Sequence, residues 1–343
     1  MNIKDIAALA GVSKSTVSRV INHADNVDEK TRQQVLKVVE EYDFLPSAMA
    51  RGLSSKGNNV IGLILPDVDN AFFGQVTQGI NEVLLDSQYT MILCCTGNNP
   101  DYELRALQTL RQQRVKGILA TTSAGFCNVK EAAKIKQAIE NISVPVVLID
   151  RAVKGTTWNG VYSDNTNGAY AATSALIEAG FREIGAFISD MPLSLGQERY
   201  SGFLQAIKDY RLEPKPELIH LYDSPASSQV IYKETCRLIE ANSLPEAVFL
   251  GNNIITNGFY KAILEKGIAP GKDIHCIGFD YSEILDIIHI PFSYLERNCK
   301  LMGQTAMKLL LKSFEEPSAV REECIIPAAL RLDGSLARGP ARS

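Results

Sequence analysis

The sequence predicts two fold classes in one chain: an all-α helix-turn-helix unit, then an α/β domain of two lobes, each a doubly wound parallel sheet. Three observations carry this. Between Met1 and Phe44, apolar residues recur at helical spacing around a Gly-Val-Ser break. From Val60 onward, short apolar runs of the kind that form buried parallel strands alternate with helical stretches. The alternation runs through two rounds, and a length of 343 residues is more than one core ordinarily fills.

In MNIKDIAALAGVSKSTVSRVIN, Ile3, Ile6, Ala7 and Ala10 line one face of a first helix. Gly11 ends it where a sharp turn needs positive φ. Val12 plugs the core and Ser13 caps the next helix. Lys14 to Ile21 forms that helix, with Val17, Val20 and Ile21 inward. Its outer face carries Lys14, Ser15, Thr16, Ser18 and Arg19, all hydrogen-bond donors and none acidic. Lys and Arg suit guanine N7/O6 and phosphate, and hydroxyls suit base edges, so this is the chemistry of a recognition helix in the DNA major groove. The pattern alone also fits a helical hairpin with a solvated face; the acid-free surface and the small Ala7 at the helix contact favour DNA. Asp28 caps a third helix, Glu29–Tyr42, with Val35, Leu36, Val38 and Val39 inward.

Net charge is −4, so DNA binding must rest on a local patch. Residues Met1–Gly57 hold eight Lys/Arg against seven Asp/Glu, and the acids lie outside the second helix. Hydrophobic content of 45% and charged content of 22% are those of a soluble globular protein. The seven cysteines are odd in number and include no CxxC, so buried free thiols are expected, with Cys94–Cys95 the one pair suited to a redox role. No signal-peptide pattern and no membrane-length apolar run occurs, so a cytoplasmic protein with no membrane partner is expected. No nucleophile–base pair, metal motif or phosphate loop is present, and the four His residues are dispersed. Neither an enzyme nor a cofactor is expected.

The linker that follows, AMARGLSSKG, is basic and helix-capable. With it the sequence resembles the lactose-repressor/galactose-repressor (LacI/GalR) family of bacterial transcription regulators. The matching stretches are KDIAALAGVSKSTVSRVIN, VDEKTRQQVLKVVEEYDFLPSAMARGLSS and VIGLILPDVDNAFF, and the likeness covers essentially the whole chain. It implies that the linker is a hinge helix that folds when two chains sit on one operator. Leu53 would wedge into the minor groove and kink the DNA, and Asn26 and Ala50 would join the contacts. Gly52 weakens helix propensity by about 1 kcal/mol, so the hinge should fold only on DNA.

In the α/β region the first round has strands at Val60–Leu65, Tyr89–Cys95, Gly117–Ala120 and Val144–Ile149, with helices Phe72–Ser87, Asp101–Gln113 and Lys130–Asn141. The second begins near Val161, with strands Ile184–Ser189, Leu218–Tyr222, Ala247–Leu250 and Ile274–Phe279. Its helices are Gly168–Ala179, Arg199–Asp209, Ser228–Ala241 and Asn257–Lys266. A strand Phe292–Leu295 and helix Leu301–Phe314 are expected to return to the first lobe, as in this family and the related periplasmic sugar-binding proteins. The expected domains are 1–46 for DNA, 47–57 for the hinge and 58–343 for effector and dimer contacts. Lobe one would span about 58–160 plus 292–320, and lobe two about 161–291 plus 321–335.

Ligands of open α/β sheets bind beyond the carboxyl ends of the strands. Asn70 and Phe73 follow the first strand, Asp150 and Arg151 the fourth, and Asp164 the strand near Val161. Arg199 follows the next strand, then Asn252 and Asp280 follow later ones. Carboxylates and amides suit sugar hydroxyls, and aromatic faces suit the ring. The resemblance assigns effector contacts to Asp150, Arg199, Asn252 and Asp280. Two residues depart from the family: Ala226 stands where a stacking aromatic is common, and Arg297 where a Gln is common. Arg151, Arg199 and Arg297 together would favour an acidic ligand. The expectation is a homodimeric repressor of carbohydrate-use genes on a pseudo-palindromic operator, with a small sugar or sugar acid between the lobes. Residues 335–343 show no heptad repeat, so a dimer rather than a tetramer is expected. Two other readings stay open here: a regulator that a ligand or protein partner strengthens on DNA, and a pure sugar-binding protein.

Overall fold

The computed structural model describes residues 1–21, 26–44, 59–223, 225–316, 320–333 and 336. They form an N-terminal helical unit and an α/β unit. The linker 47–57, with Ala50 and Leu53, and the tail from 337 lie outside the described residues.

In the helical unit, α1 (Ile3–Leu9) opens with a capping box: Asn2 Oδ1 accepts from the Lys4 amide at 2.8 Å, and Asp5 Oδ2 accepts from the Asn2 amide at 2.8 Å. Gly11 takes φ +61° at the turn. Ser13 Oγ accepts from the Thr16 amide at 3.1 Å and starts α2 (Lys14–Ile21). Asp28 caps α3 (Glu29–Glu41) by accepting from the Thr31 amide at 3.2 Å. Ile6, Ala7, Ala10, Val17, Val20 and Val35 form the core. Leu36 is 38% exposed instead of inward. Val35, Val38 and Val39 fill the inner stripe at 3- and 4-residue spacing, and Leu36 sits a quarter-turn round from Val35.

In the α/β unit the described strands are β1 (Val60–Leu65), β2 (Thr90–Cys95), β3 (Gly117–Ala120), β4 (Val146–Ile149), β5 (Asn159–Ser163), β6 (Ile184–Ile188), β7 (Ile219–Leu221), β8 (Ala247–Leu250), β9 (His275–Phe279), β10 (Ser293–Arg297), β11 (Glu323–Ile326) and β12 (Ala328–Arg331). The helices between them are α4 (Ala71–Leu85), α5 (Pro100–Gln112), α6 (Val129–Glu140), α7 (Asn165–Glu178), α8 (Ser194–Asp209), α9 (Ser228–Glu240), α10 (Asn253–Glu265), α11 (Glu283–Ile287) and α12 (Cys299–Glu315). One sheet runs β11-β5-β4-β3-β1-β2 and is wholly parallel. The other runs β12-β10-β9-β8-β6-β7, with only β12 antiparallel.

The expected lobe boundaries are corrected by this pairing. The strand after Phe292 belongs to the second sheet, and β5 and β11 belong to the first. The cause is the core each strand joins: Leu295 packs with Ile277 and Phe279, whereas Val161, Cys324 and Ile326 pack with Ile149 and Leu63. Helix α12 does return to the first lobe, where it crosses α4. A Cβ on Gly79 would lie 2.0 Å from the Lys300 carbonyl oxygen, and one on Gly303 2.0 Å from that of Val76. Only two glycines let these helices meet so closely.

Helix α8 starts five residues before the expected Arg199, so Arg199 sits within the helix and not in a loop. All seven cysteines are free; Cys276 and Cys299 are buried and Cys95 is exposed. No helix among the described residues is long and apolar enough to cross a membrane.

Candidate ligand cleft and nucleic-acid interface

Strand β1 lies between β2 and β3, and β6 between β7 and β8, so each sheet reverses its winding there. Such switch points open a crevice at the carboxyl ends. The two crevices meet in a cavity of about 70 Å³ whose walls include Asn70, Phe72, Phe73, Asp150, Arg151, Asp190, Arg199, Asn252, Asp280 and Arg297. Three aspartates at strand exits take left-handed backbones: Asp150 at φ +65°, Asp190 at +63° and Asp280 at +115°. Asp is among the few residues that tolerate this region.

The polar side chains are held from behind. Arg199 Nε donates to Asn165 Oδ1 at 3.0 Å and Nη1 to the Gly251 carbonyl at 2.7 Å, while its Cζ lies 4.0 Å from the Phe279 ring centroid. Burial, with nearby Arg297, pushes the Arg199 guanidinium down to about 10, so it stays a cation at neutral pH. Arg151 Nη1 donates to Asn98 Oδ1 at 2.6 Å and to the Thr122 carbonyl at 3.3 Å. Asn252 caps α10 by accepting from the Ile255 amide at 2.8 Å and donates Nδ2 to Ser189 Oγ at 2.9 Å. Ser189 in turn donates to Asp190 Oδ2 at 2.8 Å. Asn70 Oδ1 accepts from the Phe72 amide and, across the cleft, from Asn253 Nδ2, each at 3.0 Å. Phe72 and Phe73 meet edge to face at 4.9 Å.

Arg297 spans the lobes. Its Nε donates to Asp280 Oδ1 at 2.5 Å and its Nη1 to Asp150 Oδ1 at 3.2 Å and Ser163 Oγ at 3.3 Å. Its Cζ lies 4.1 Å from the Phe72 ring centroid. Burial works against this cation, but the Asp280 and Asp150 carboxylates raise its pKa above the usual arginine value. Two buried atoms on opposite walls have no partner among the described residues: the donor Arg151 Nε and the acceptor Asp190 Oδ1.

Of the expected effector residues, Asn70, Phe73, Asp150, Arg151, Arg199, Asn252 and Asp280 all line this cavity. Asp164 does not. Its carboxylate caps α7, accepting from the Asn167 amide at 3.2 Å and from Asn167 Nδ2 at 2.8 Å. The three arginines do not meet as a free cationic cluster either. Arg297 is ion-paired, and the cavity sets four carboxylates (Asp67, Asp150, Asp190, Asp280) against three guanidiniums.

Sequence reasoning missed Asp190, Asn98 and Glu103. Asp190 lies two residues past the end of β6, at a strand exit that the strand-end rule reaches. Asn98 follows β2, a strand whose exit was passed over. Glu103, fully buried in the first turn of α5, accepts from Thr122 Oγ1 at 2.6 Å, the Ser123 amide at 2.7 Å and Ser123 Oγ at 2.5 Å. Nothing in the sequence marks it.

In the helical unit, Lys14, Ser15 and Arg19 are exposed on α2, Thr16 and Ser18 are half-buried, and Asn26 is exposed in the following loop. Ser13 Oγ shares hydrogen bonds with Ser15 Oγ at 2.7 Å and Thr16 Oγ1 at 2.8 Å. No acid lies in the helix. Its N-terminal turn therefore gathers hydroxyls and a lysine at the positive end of the helix dipole, a setting suited to phosphate and base edges.

Residues 2–47 match the model of the bacterial regulatory proteins of the lacI family, and 173–335 match a periplasmic binding protein-like domain. The chain is 31% identical over 316 residues to the ribose operon repressor of Haemophilus influenzae, covering 92% of each chain. It is 30% identical over 314 residues to the HTH-type transcriptional repressor PurR of Vibrio atlanticus, again covering 92% of each. Among solved structures it resembles the Lac repressor dimer bound to operator and an anti-inducer, with TM-score 0.81 at 22% identity over 98% of this chain and 99% of that one. It also resembles a regulator from Enterococcus faecium with bound ribose, with TM-score 0.70 at 25% identity over 80% of this chain and 98% of that one.

Proposed function

The chain belongs to the LacI family of bacterial regulatory proteins, a family of DNA-binding repressors and not of enzymes, and from that premise we propose that it represses carbohydrate-use genes under control of a small neutral sugar bound between its lobes. One observation carries the ligand class. Arg151 Nε on the first lobe and Asp190 Oδ1 on the second are buried and have no partner among the described residues, and both residues line one cavity. Buried polar groups of this kind are ordinarily satisfied. A hydroxyl can accept from the first and donate to the second, so a polyol that reached them would suit both. Asp150, Asp280, Asn252 and Arg199 supply further hydroxyl contacts, and Phe72 and Phe73 an apolar wall. The near balance of charge in the cavity favours a neutral sugar over a sugar acid. A ribose operon repressor among the relatives and a ribose-bound structural neighbour point to a pentose.

On the DNA side, Lys14, Ser15, Thr16, Ser18 and Arg19 would read the operator, with Asn26 beside them. Ala50 and Leu53 would enter the minor groove. A homodimer fits the exposed apolar side chains Tyr281, Ile284, Ile287 and Ile288 on and beside α11, which a second copy would cover. Two-fold symmetry then gives a pseudo-palindromic operator.

The test is calorimetric titration of the full chain with D-ribose, D-glucose and D-glucuronate, followed by operator binding with and without the best ligand. Binding of a neutral sugar that changes operator affinity supports the proposal. Preference for glucuronate overturns the ligand class, and a bound sugar with no effect on operator affinity overturns the control.

A further inference from the structure

Arg297 is the feature that the sugar-controlled reading does not absorb. It stands at the end of β10 in the second lobe, with its side chain only 6% exposed. It holds Asp280 of its own lobe and Asp150 of the other through one oxygen each. The second oxygen of each carboxylate has no partner among the described residues, although both residues line the cavity. The same guanidinium lies over Phe72, in the first turn of α4 on the first-lobe wall. Beside it the cavity is about 70 Å³, well below the ~300 Å³ at which ligand pockets usually begin.

We propose that Arg297 is a specificity-determining residue: a built-in cation that ties the lobes through Asp150 and Asp280 and leaves each carboxylate one oxygen for the ligand. Two consequences follow. The ligand must be small, because the guanidinium takes up part of a narrow cavity. It must also carry no negative charge where it meets Asp150 and Asp280, because the two carboxylates outweigh the pull of Arg297 on an anion, while Arg297 offsets about half of their pull on a cation. The ligand class rests on the sugar-binding reading. The tie itself is a property of the protein without ligand.

The test uses the full chain and two substitutions. Arg297→Gln removes the cation. Arg297→Lys keeps a positive charge for the carboxylates, and so guards against a folding failure, but one ammonium has neither the planar fork nor the flat face that lies on Phe72. Hydrogen exchange is read without ligand at residues 66–73, 150–153 and 251–254. Binding of D-ribose, D-glucose, D-glucosamine and D-glucuronate is then measured.

Both variants should exchange at least about tenfold faster at these cleft segments, with unchanged protection in the helical unit. Arg297→Gln should also shift selectivity by about tenfold or more from ribose toward the cationic glucosamine, and gain on glucose relative to ribose. Arg297→Lys should hold the glucosamine ratio near the parent value. Unchanged exchange in both variants overturns the tie whatever the ligand is. A parent protein that binds ribose, with the same sugar ratios in Arg297→Gln, overturns the specificity role. Failure of the parent to bind any sugar sinks the sugar reading and the selectivity claim with it, while the exchange result still decides the tie.

Discussion

Replacing Glu103 tests whether the cleft depends on a carboxylate that never touches it. Glu103 holds the segment Thr122–Ser123 by three hydrogen bonds. That segment offers the Thr122 carbonyl to Arg151, and Phe126, a few residues on, has its ring 5.1 Å from the Arg151 Cζ. Glu103→Ala leaves the Ser123 amide buried without its acceptor, which costs about 1–3 kcal/mol, while the two hydroxyls can turn elsewhere. Loss of the charge-assisted bonds and the space left behind bring the expected destabilisation to about 3 kcal/mol. Glu103→Gln is nearly isosteric. Its oxygen can face Ser123 and its amide can donate to Thr122 Oγ1, so it keeps three contacts and loses only their ionic strength, about 1 kcal/mol. Urea unfolding should therefore separate the two variants by about 2 kcal/mol in the α/β transition. Ribose affinity, by titration calorimetry, should fall about tenfold in Glu103→Ala, equal to about 1.4 kcal/mol, and less in Glu103→Gln. Equal stability of the two variants would refute the hydrogen-bond account. A destabilised Glu103→Ala with full ribose affinity would refute the link to Arg151.

Arg19→Ala should weaken specific operator binding by about 1–3 kcal/mol if it reads a guanine, or reduce the salt slope by about 1 if it contacts phosphate, and leave sugar affinity alone; fluorescence anisotropy at several salt concentrations separates these, and lost sugar binding argues against independent units. Gly303→Ala forces a methyl to 2.0 Å from the Val76 carbonyl oxygen, so α4 and α12 must part at a cost of about 1–3 kcal/mol or more, seen in the urea midpoint; an unchanged midpoint would disprove the close crossing. Burial lowers the pKa of His220 and His275. The fold therefore prefers both imidazoles neutral: their contribution is complete above the unfolded pKa of about 6.5 and is lost as pH falls through the lowered folded values. The thermal midpoint should drop from pH 7.5 to 5, and the paired replacements His220→Gln and His275→Gln should flatten that window; an equally steep drop in the double variant would assign it to other groups.

The helical unit was legible almost residue by residue, because its caps and its turn are local: Ser13, Asp28 and Gly11 act within a few residues of themselves. The α/β order was legible for the same reason. Sheet membership was not. A run such as Phe292–Leu295 has the same composition in either sheet, and only the partners of Leu295, more than a dozen residues away in the chain, decide which core it joins. The cleft was half legible. Residues at strand exits are found by rule, and Asp150, Arg151, Asn252 and Asp280 were. What holds them is not, since Glu103 and Asn98 act through pairings that periodicity cannot see. Arg297 was visible as an oddity, but its meaning was inverted: counted with Arg151 and Arg199 it suggested an anionic ligand, and only its two carboxylate partners show it to be spent inside the protein.

Those partners also bear on how a ligand would reach the DNA. Between Val60 and Asp333 the chain passes from one sheet to the other at three places: Asp164, Asn298 and Pro327. Any change in the angle between lobes must be absorbed there. Asp164 and Asn298 are helix caps, each anchoring the first turn of the helix that follows. The residue before Asp164 is Ser163 and the residue before Asn298 is Arg297, and these two are hydrogen-bonded at 3.3 Å. Two of the three crossings are thus stapled together by the side chain that holds Asp150 and Asp280. A ligand on the second oxygen of each carboxylate would bear on the same two groups that anchor Arg297, and through it on the crossings. Lobe angle and ligand occupancy would then be coupled through Arg297, and such coupling is reciprocal: the lobe angle favoured in the operator complex would alter ligand affinity by the same factor as ligand alters operator affinity.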